Sequence, residues 1–142
     1  MECVVAGIVI LVLVFAAASY LPRYIERSNA RVFDRRKRAI LKTLGIDDSQ
    51  LERLGMGGPD YFGQFVTLDL SHTNVDDAAF QQLKPADFPN LWILDLSHTR
   101  ITKASADHIN RLKPHQSLYL PKSFNSEEAR RQIHCNCYIF VD

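Results

Sequence analysis

Cysteine is scarce in this chain, and positive charge is missing where a secreted precursor needs it. Only Cys3, Cys135 and Cys137 occur among the 142 residues, an odd set with two members one residue apart. Such a set builds no even, well-spaced disulfide framework, so burial must hold the fold. Two thiols written C-x-C also fall short of a structural zinc site's four ligands, and Cys135 and Cys137 are expected as free thiols, buried or at a sheet edge. No base stands before the long uncharged run that starts at Cys3, since the chain opens Met1-Glu2. A secretory signal wants a positively charged start, so a retained helix is expected although Ala16, Ala17 and Ala18 offer a small-residue cleavage site. No G-x-S-x-G sequence is present, which leaves out the nucleophile elbow of α/β-hydrolases. Aromatic residues do not interleave the bases in the manner of a nucleic-acid surface.

The uncharged run, CVVAGIVILVLVFAAASYL from Cys3 to Leu21, is nineteen residues long. As a helix at about 1.5 Å per residue it spans roughly 28 Å, close to the hydrocarbon thickness of a bilayer. Residues 1–21 are therefore expected as a transmembrane helix. Residues 22–45 carry eight Lys or Arg against Glu26 and Asp34, whereas residues 46–142 carry nine bases against thirteen acids. Arg23, Arg27, Arg31, Arg35, Arg36, Lys37 and Arg38 follow the span closely, and basic flanks stay in the cytoplasm, so the body is expected there. Arg27, Arg31, Arg35 and Arg38 recur at helical spacing, while Ile25, Val32, Phe33, Ile40, Leu41 and Leu44 form a broken apolar stripe. Residues 22–44 read as a basic amphipathic helix beside the membrane. Its seven bases are candidates for contact with anionic lipid, each worth about 1 kcal/mol near such a surface. A plain topology signal on a solvated linker fits them too and is slightly the better reading of the sequence alone.

Beyond Gly45 one phrase is written twice, LDLSHT from Leu68 and again from Leu94. The frame extends on both sides, with FVTLDLSHTNV at Phe65 to Val75 matching LWILDLSHTRI at Leu91 to Ile101. A weaker third copy, HQSLYLPKSF from His115, places Leu118 and Leu120 on the central leucines and closes with Phe124 one residue early. Segments of helical character follow each copy, at Asp76, Thr102 and Ser126, and the first two stop at Leu-Lys-Pro, where proline disfavours continuation. GIDDSQLERLG from Gly45 reads as an earlier half copy, with Ile46 and Leu54 matching Val75 and Leu83. The loop GMGGPDYFGQ precedes a strand and opens no helix, so it is a connector and not a phosphate cradle.

This spacing and pattern resemble the leucine-rich repeat family, whose L-x-x-L-x-L-x-x-N/C-x-L signature is met at Leu91, Leu94, Leu96 and Ile101, with Thr99 in the polar place. The resemblance, closest to ribonuclease-inhibitor-like and short bacterial repeat proteins, covers residues 45 to about 133. It implies an α/β fold, a short leucine-rich-repeat solenoid of parallel strands and short helices over residues 45–142. Alternation puts Leu68, Leu70, Leu94 and Leu96 inward and Asp69 and Asp95 outward, with Tyr119 in the matching outward place. Thr73 and Thr99 fall where the chain leaves the strand, and their hydroxyls are expected to bond orphaned backbone groups. The helix before Gly45 is expected to cap one end and CNCYIFVD the other.

Asp69, Ser71 and His72, repeated as Asp95, Ser97 and His98, carry the letters of a hydrolase triad. A triad, however, converges from separate elements beside an oxyanion site, and identical copies on adjacent strands look like repeat consensus. A metal site from the two Asp and two His is a weak alternative, because neighbouring strands lie about 4.8 Å apart. No catalytic residue, metal or other cofactor, small-molecule substrate or nucleic acid is therefore expected. The expectation is a single-pass membrane protein whose small repeat surface binds another protein, through Asp69, Ser71, His72, Trp92, Asp95, Ser97, His98 and Tyr119. The alternative is an accessory subunit of a larger membrane complex, held mainly through its transmembrane helix. Asp69 and Asp95, as like charges on neighbouring strands, are expected to be dispensable for stability.

Overall fold

The computed structural model describes residues 30–47, 54–56 and 65–142. The run at 3–21, with Arg23 and Arg27, lies outside the described residues. Among the described residues no helix is long and apolar enough to cross a membrane.

The chain is mixed α/β: one five-stranded sheet in the order β1 to β5, with short helices on the connections. β2 (Phe65–Asp69), β3 (Ile93–Asp95), β4 (Ser117–Leu120) and β5 (Tyr138–Val141) run parallel to their neighbours, and β1 (Leu54–Met56) closes the other edge antiparallel to β2. The repeated phrase sets the register. Leu68 pairs with Leu94 and Leu94 with Leu118, so equivalent letters of each copy stand side by side. Leu68, Leu70, Leu94, Leu96, Leu118 and Leu120 are all fully buried, as their alternation requires. Phe124, one residue early in the third copy, is fully buried too.

Each return passes through a short helix with its own start signal. Asp76 accepts from Ala79 N ahead of α2 (Asp77–Phe80), and Ser126 accepts from Ala129 N ahead of α4 (Glu127–Arg131). Thr102 opens a 3-10 turn that leads into α3 (Ala106–Leu112). Side-chain oxygens here take up donors that a helix start leaves orphaned. Lys113 ends α3 in the left-handed region at φ 50°, directly before Pro114.

Helix α1 occupies residues 30–44 and lays Phe33, Ile40, Leu41 and Leu44 into the same core. The Phe33 ring meets Phe65 at 4.5 Å between centroids, and Phe65 in turn meets Phe88 at 5.4 Å. α1 is thus the cap expected at this end. Val32, assigned to its apolar stripe, instead faces out at 53% exposure.

Two further expectations need correction. Leu54 was aligned with Leu83 at a helix end but lies in β1, paired with Leu68, because the free edge of β2 offers unpaired backbone groups. Cys135 and Cys137 are joined in a disulfide and are not free thiols. They do not share a strand face. They flank a bend just before β5, where their Cα atoms stand 5.3 Å apart, within the span a disulfide bridges.

Candidate interaction face

The outward face of the sheet collects side chains in rows set by the register. Asp69, Asp95, Tyr119 and Phe140 form one row across β2 to β5, and Thr67, Ile93, Ser117 and Tyr138 form the next. With parallel strands about 4.8 Å apart, the first row extends roughly 14 Å. Its chemistry changes along the way. Two carboxylates stand at the β2–β3 side, and at the β4–β5 side the rings of Tyr119 and Phe140 stack at 4.8 Å. Phe140 and Tyr138 are 48% and 74% exposed.

The carboxylates do more than face outward. Asp69 Oδ1 accepts from Ser71 N at 2.9 Å and Ser71 Oγ at 2.6 Å. Asp95 Oδ1 accepts from Ser97 N at 2.9 Å, and also from Ser97 Oγ. Each Asp-Leu-Ser therefore ties the strand end to the turn that follows. These bonds argue against the expectation that both acids are dispensable for stability, because removing an acceptor leaves its donors unpaired where water is partly excluded. Ser71 and Ser97 hold the turn, and their hydroxyls bond the carboxylates without an imidazole between them.

One step further along, His72 and His98 take positive φ, 57° and 52°. This left-handed step turns the chain off the strand and brings the two imidazoles into a stack, 4.2 Å between centroids. Asp142 Oδ2 accepts from His98 N at 2.8 Å and lies 3.4 Å from its Nδ1. Then Thr73 and Thr99 close the turn, each donating its hydroxyl at 2.6 Å to the carbonyl three residues back, Leu70 and Leu96. Among the described residues no group of three or more His, Cys, Asp or Glu side chains is arranged to hold a metal ion.

Of the eight residues expected to bind a partner, Asp69, Asp95 and Tyr119 share one row. His72 and His98 stand above it at the rim, and Trp92, 54% exposed, leads into β3. Phe140 and Tyr138 were missed as members of this face. CYIFVD lacks the repeated phrase, and only its alternation, with Tyr138 and Phe140 two apart, carried the signal.

Two polar groups lie off this face, Asp77 half-buried and His108 buried. Asp77 clamps one repeat to the next, accepting from Thr102 N at 2.9 Å, Thr102 Oγ1 at 2.6 Å and Ser105 Oγ at 2.5 Å. Burial pushes its pKa up, but the hydrogen bonds from Ser105 and Thr102 outweigh that and hold it below 3.8. His108 is buried with its ring edge-on to Phe80 at 5.1 Å, and its Nε2 has no hydrogen-bond partner among the described residues. Desolvation, helped by the nearby Arg111, lowers its pKa from 6.5, although a hydrogen bond with the Leu83 backbone works the other way.

No family model, curated protein or solved structure matches the chain.

Proposed function

We propose that this protein is a membrane-anchored protein-interaction module, a short leucine-rich-repeat solenoid carried behind a transmembrane helix at residues 3–21. The observation that carries the reading is the outward row Asp69, Asp95, Tyr119 and Phe140, which joins acidic to stacked aromatic side chains on a rigid parallel sheet. Rigid aromatic side chains supply contact area at low entropic cost, and fixed carboxylates select basic groups. The partner that fits is a protein segment presenting a basic residue beside an apolar or aromatic one. Nothing in the row calls for catalysis, since each serine hydroxyl is bonded to its aspartate.

Crosslinking in native membranes, followed by identification of the attached chains, tests the reading. Asp69→Asn with Asp95→Asn removes both charges yet leaves an oxygen to accept from Ser71 and Ser97, so the fold is kept while association weakens and its salt dependence flattens. Tyr119→Ala weakens association as well. An accessory subunit held through its membrane helix would keep its partner in these variants and lose it on changes within residues 3–21.

The bases after Leu21 support a cytoplasmic body. Protease added outside intact cells then leaves it whole, and cleavage there would reverse the orientation. The Cys135–Cys137 disulfide weighs against a cytoplasmic body, because the cytoplasm keeps thiols reduced, and alkylation before lysis decides between the two: a pair still closed in cells reverses the orientation.

A further inference from the structure

Seven bases beside the apolar run read alike in the sequence, but the fold treats them differently. Arg36 turns toward the sheet, 3.3 Å from Asp87 Oδ1 and 5.6 Å above the Phe65 ring. Lys37 lies over Phe33 at 4.7 Å. Arg31, Arg35 and Arg38 are exposed, and so is Lys42, which none of the sequence patterns marked. Among the described residues none of these four has an ion-pair partner. At about 100° per residue, positions 31, 35, 38 and 42 fall within roughly 60° of arc, along about 16 Å of helix. The buried residues Phe33, Ile40, Leu41 and Leu44 centre on the opposite side.

We infer that the outer face of α1 lies on an anionic lipid surface, with Arg31, Arg35, Arg38 and Lys42 against the headgroups. The inference rests on the proposed membrane anchor for its geometry. Only residues 22–29 lie between the uncharged run and the described part of α1, and eight residues reach at most about 28 Å whatever their conformation. A straight row of bases without ion-pair partners among the described residues suits a flat sheet of negative charge, and each base there is worth roughly fivefold in affinity. Because the other side of α1 is packed into the core, contact through this face would fix the whole sheet relative to the bilayer and hold its outward row in one orientation. Arg36 and Lys37 serve the fold in this arrangement and take no part in the contact.

The test uses the full chain in nanodiscs of phosphatidylcholine, with or without phosphatidylserine, and reads acylation of each lysine by mass spectrometry. Lys42 should react at least about fivefold more slowly in the anionic discs, while Lys103, Lys113 and Lys122 react equally in both. The protection should vanish at about 1 M salt, where charges are screened within roughly 3 Å. It should vanish also in Arg31→Gln/Arg35→Gln/Arg38→Gln, whose unchanged Trp92 emission reports an intact fold. Equal Lys42 reactivity in the two discs, or protection that survives in the triple variant, overturns the inference. So does equal or stronger protection of Lys42 by a short RNA duplex in phosphatidylcholine discs, which would assign the face to nucleic acid. Retention of the chain in the discs through an alkaline wash reports the anchor separately. If the chain washes off, the anchor reading fails, and preferential co-sedimentation with phosphatidylserine vesicles still decides for or against the headgroup contact.

Discussion

At the scale of single residues, the turn after each repeated strand is held by oxygens in specific places. Thr73 is buried and donates to the Leu70 carbonyl at 2.6 Å. Thr73→Val keeps the shape but leaves the Leu70 carbonyl only the longer 3.3 Å bond from the residue-73 N–H, so it should cost about 1 kcal/mol, whereas Thr73→Ser should recover most of it. Denaturant titration of the full chain in nanodiscs, read by its single tryptophan, compares the two. Asp95→Ala should cost about 1–2 kcal/mol, because Ser97 loses the acceptor for its N–H and its hydroxyl. An unchanged unfolding midpoint in that variant would return the aspartate to a purely outward role. His108 adds a pH dependence of known sign. Its folded pKa lies below 6.5, so the fold favours the neutral ring, and its contribution is complete above pH 6.5 and lost as pH falls toward the folded value. The unfolding midpoint of the wild type should therefore fall relative to that of His108→Leu as pH drops from 7.5 through 6.5, the variant being the less pH-dependent of the two.

At the scale of elements, the copies are joined by groups that repeat analysis does not see. Asp77 begins α2 yet holds the start of the following repeat through Thr102 and Ser105. Ser105 is fully buried, so Asp77→Ala strands its hydroxyl and should cost about 1–3 kcal/mol. With its pKa held below 3.8, Asp77 contributes fully above that pH and loses its contribution as pH falls through the folded value. Amide exchange in Thr102–Leu112 checks this clamp, and should quicken in the variant more than exchange in α4. The helix starts were legible, since Asp76, Thr102 and Ser126 each stand as oxygen-bearing residues before an apolar pattern. β1 was not, because LGM has no alternation long enough to distinguish a strand from the end of a helix.

For the whole molecule, α1 decides whether the sheet has a closed end. Phe65 and Phe88 are buried, and Phe33 packs at a tilt against the first of them. A fragment of residues 45–142 exposes these rings and should unfold at lower denaturant and less cooperatively than a fragment of residues 22–142. Equal midpoints would show that the sheet closes its own core. The far end differs, for β5 leaves Tyr138, Ile139 and Phe140 partly open to solvent beside the aromatic half of the interaction face.

What the sequence determined alone was everything carried by periodicity. Leucines two apart on a recurring phrase bury the same letters in every strand, so inward Leu68, Leu70, Leu94 and Leu96, outward Asp69, Asp95 and Tyr119, and the threonine turns were all readable in advance. Only the tertiary structure decided which polar letters have a second task. Asp77 crosses to the next repeat, and Arg36 turns to Asp87 while Arg31, Arg35, Arg38 and Lys42 do not turn inward. The reason is physical. Burial follows a local period that a sequence records directly, whereas a hydrogen bond or ion pair depends on the position of a partner that the fold brings in from elsewhere in the chain.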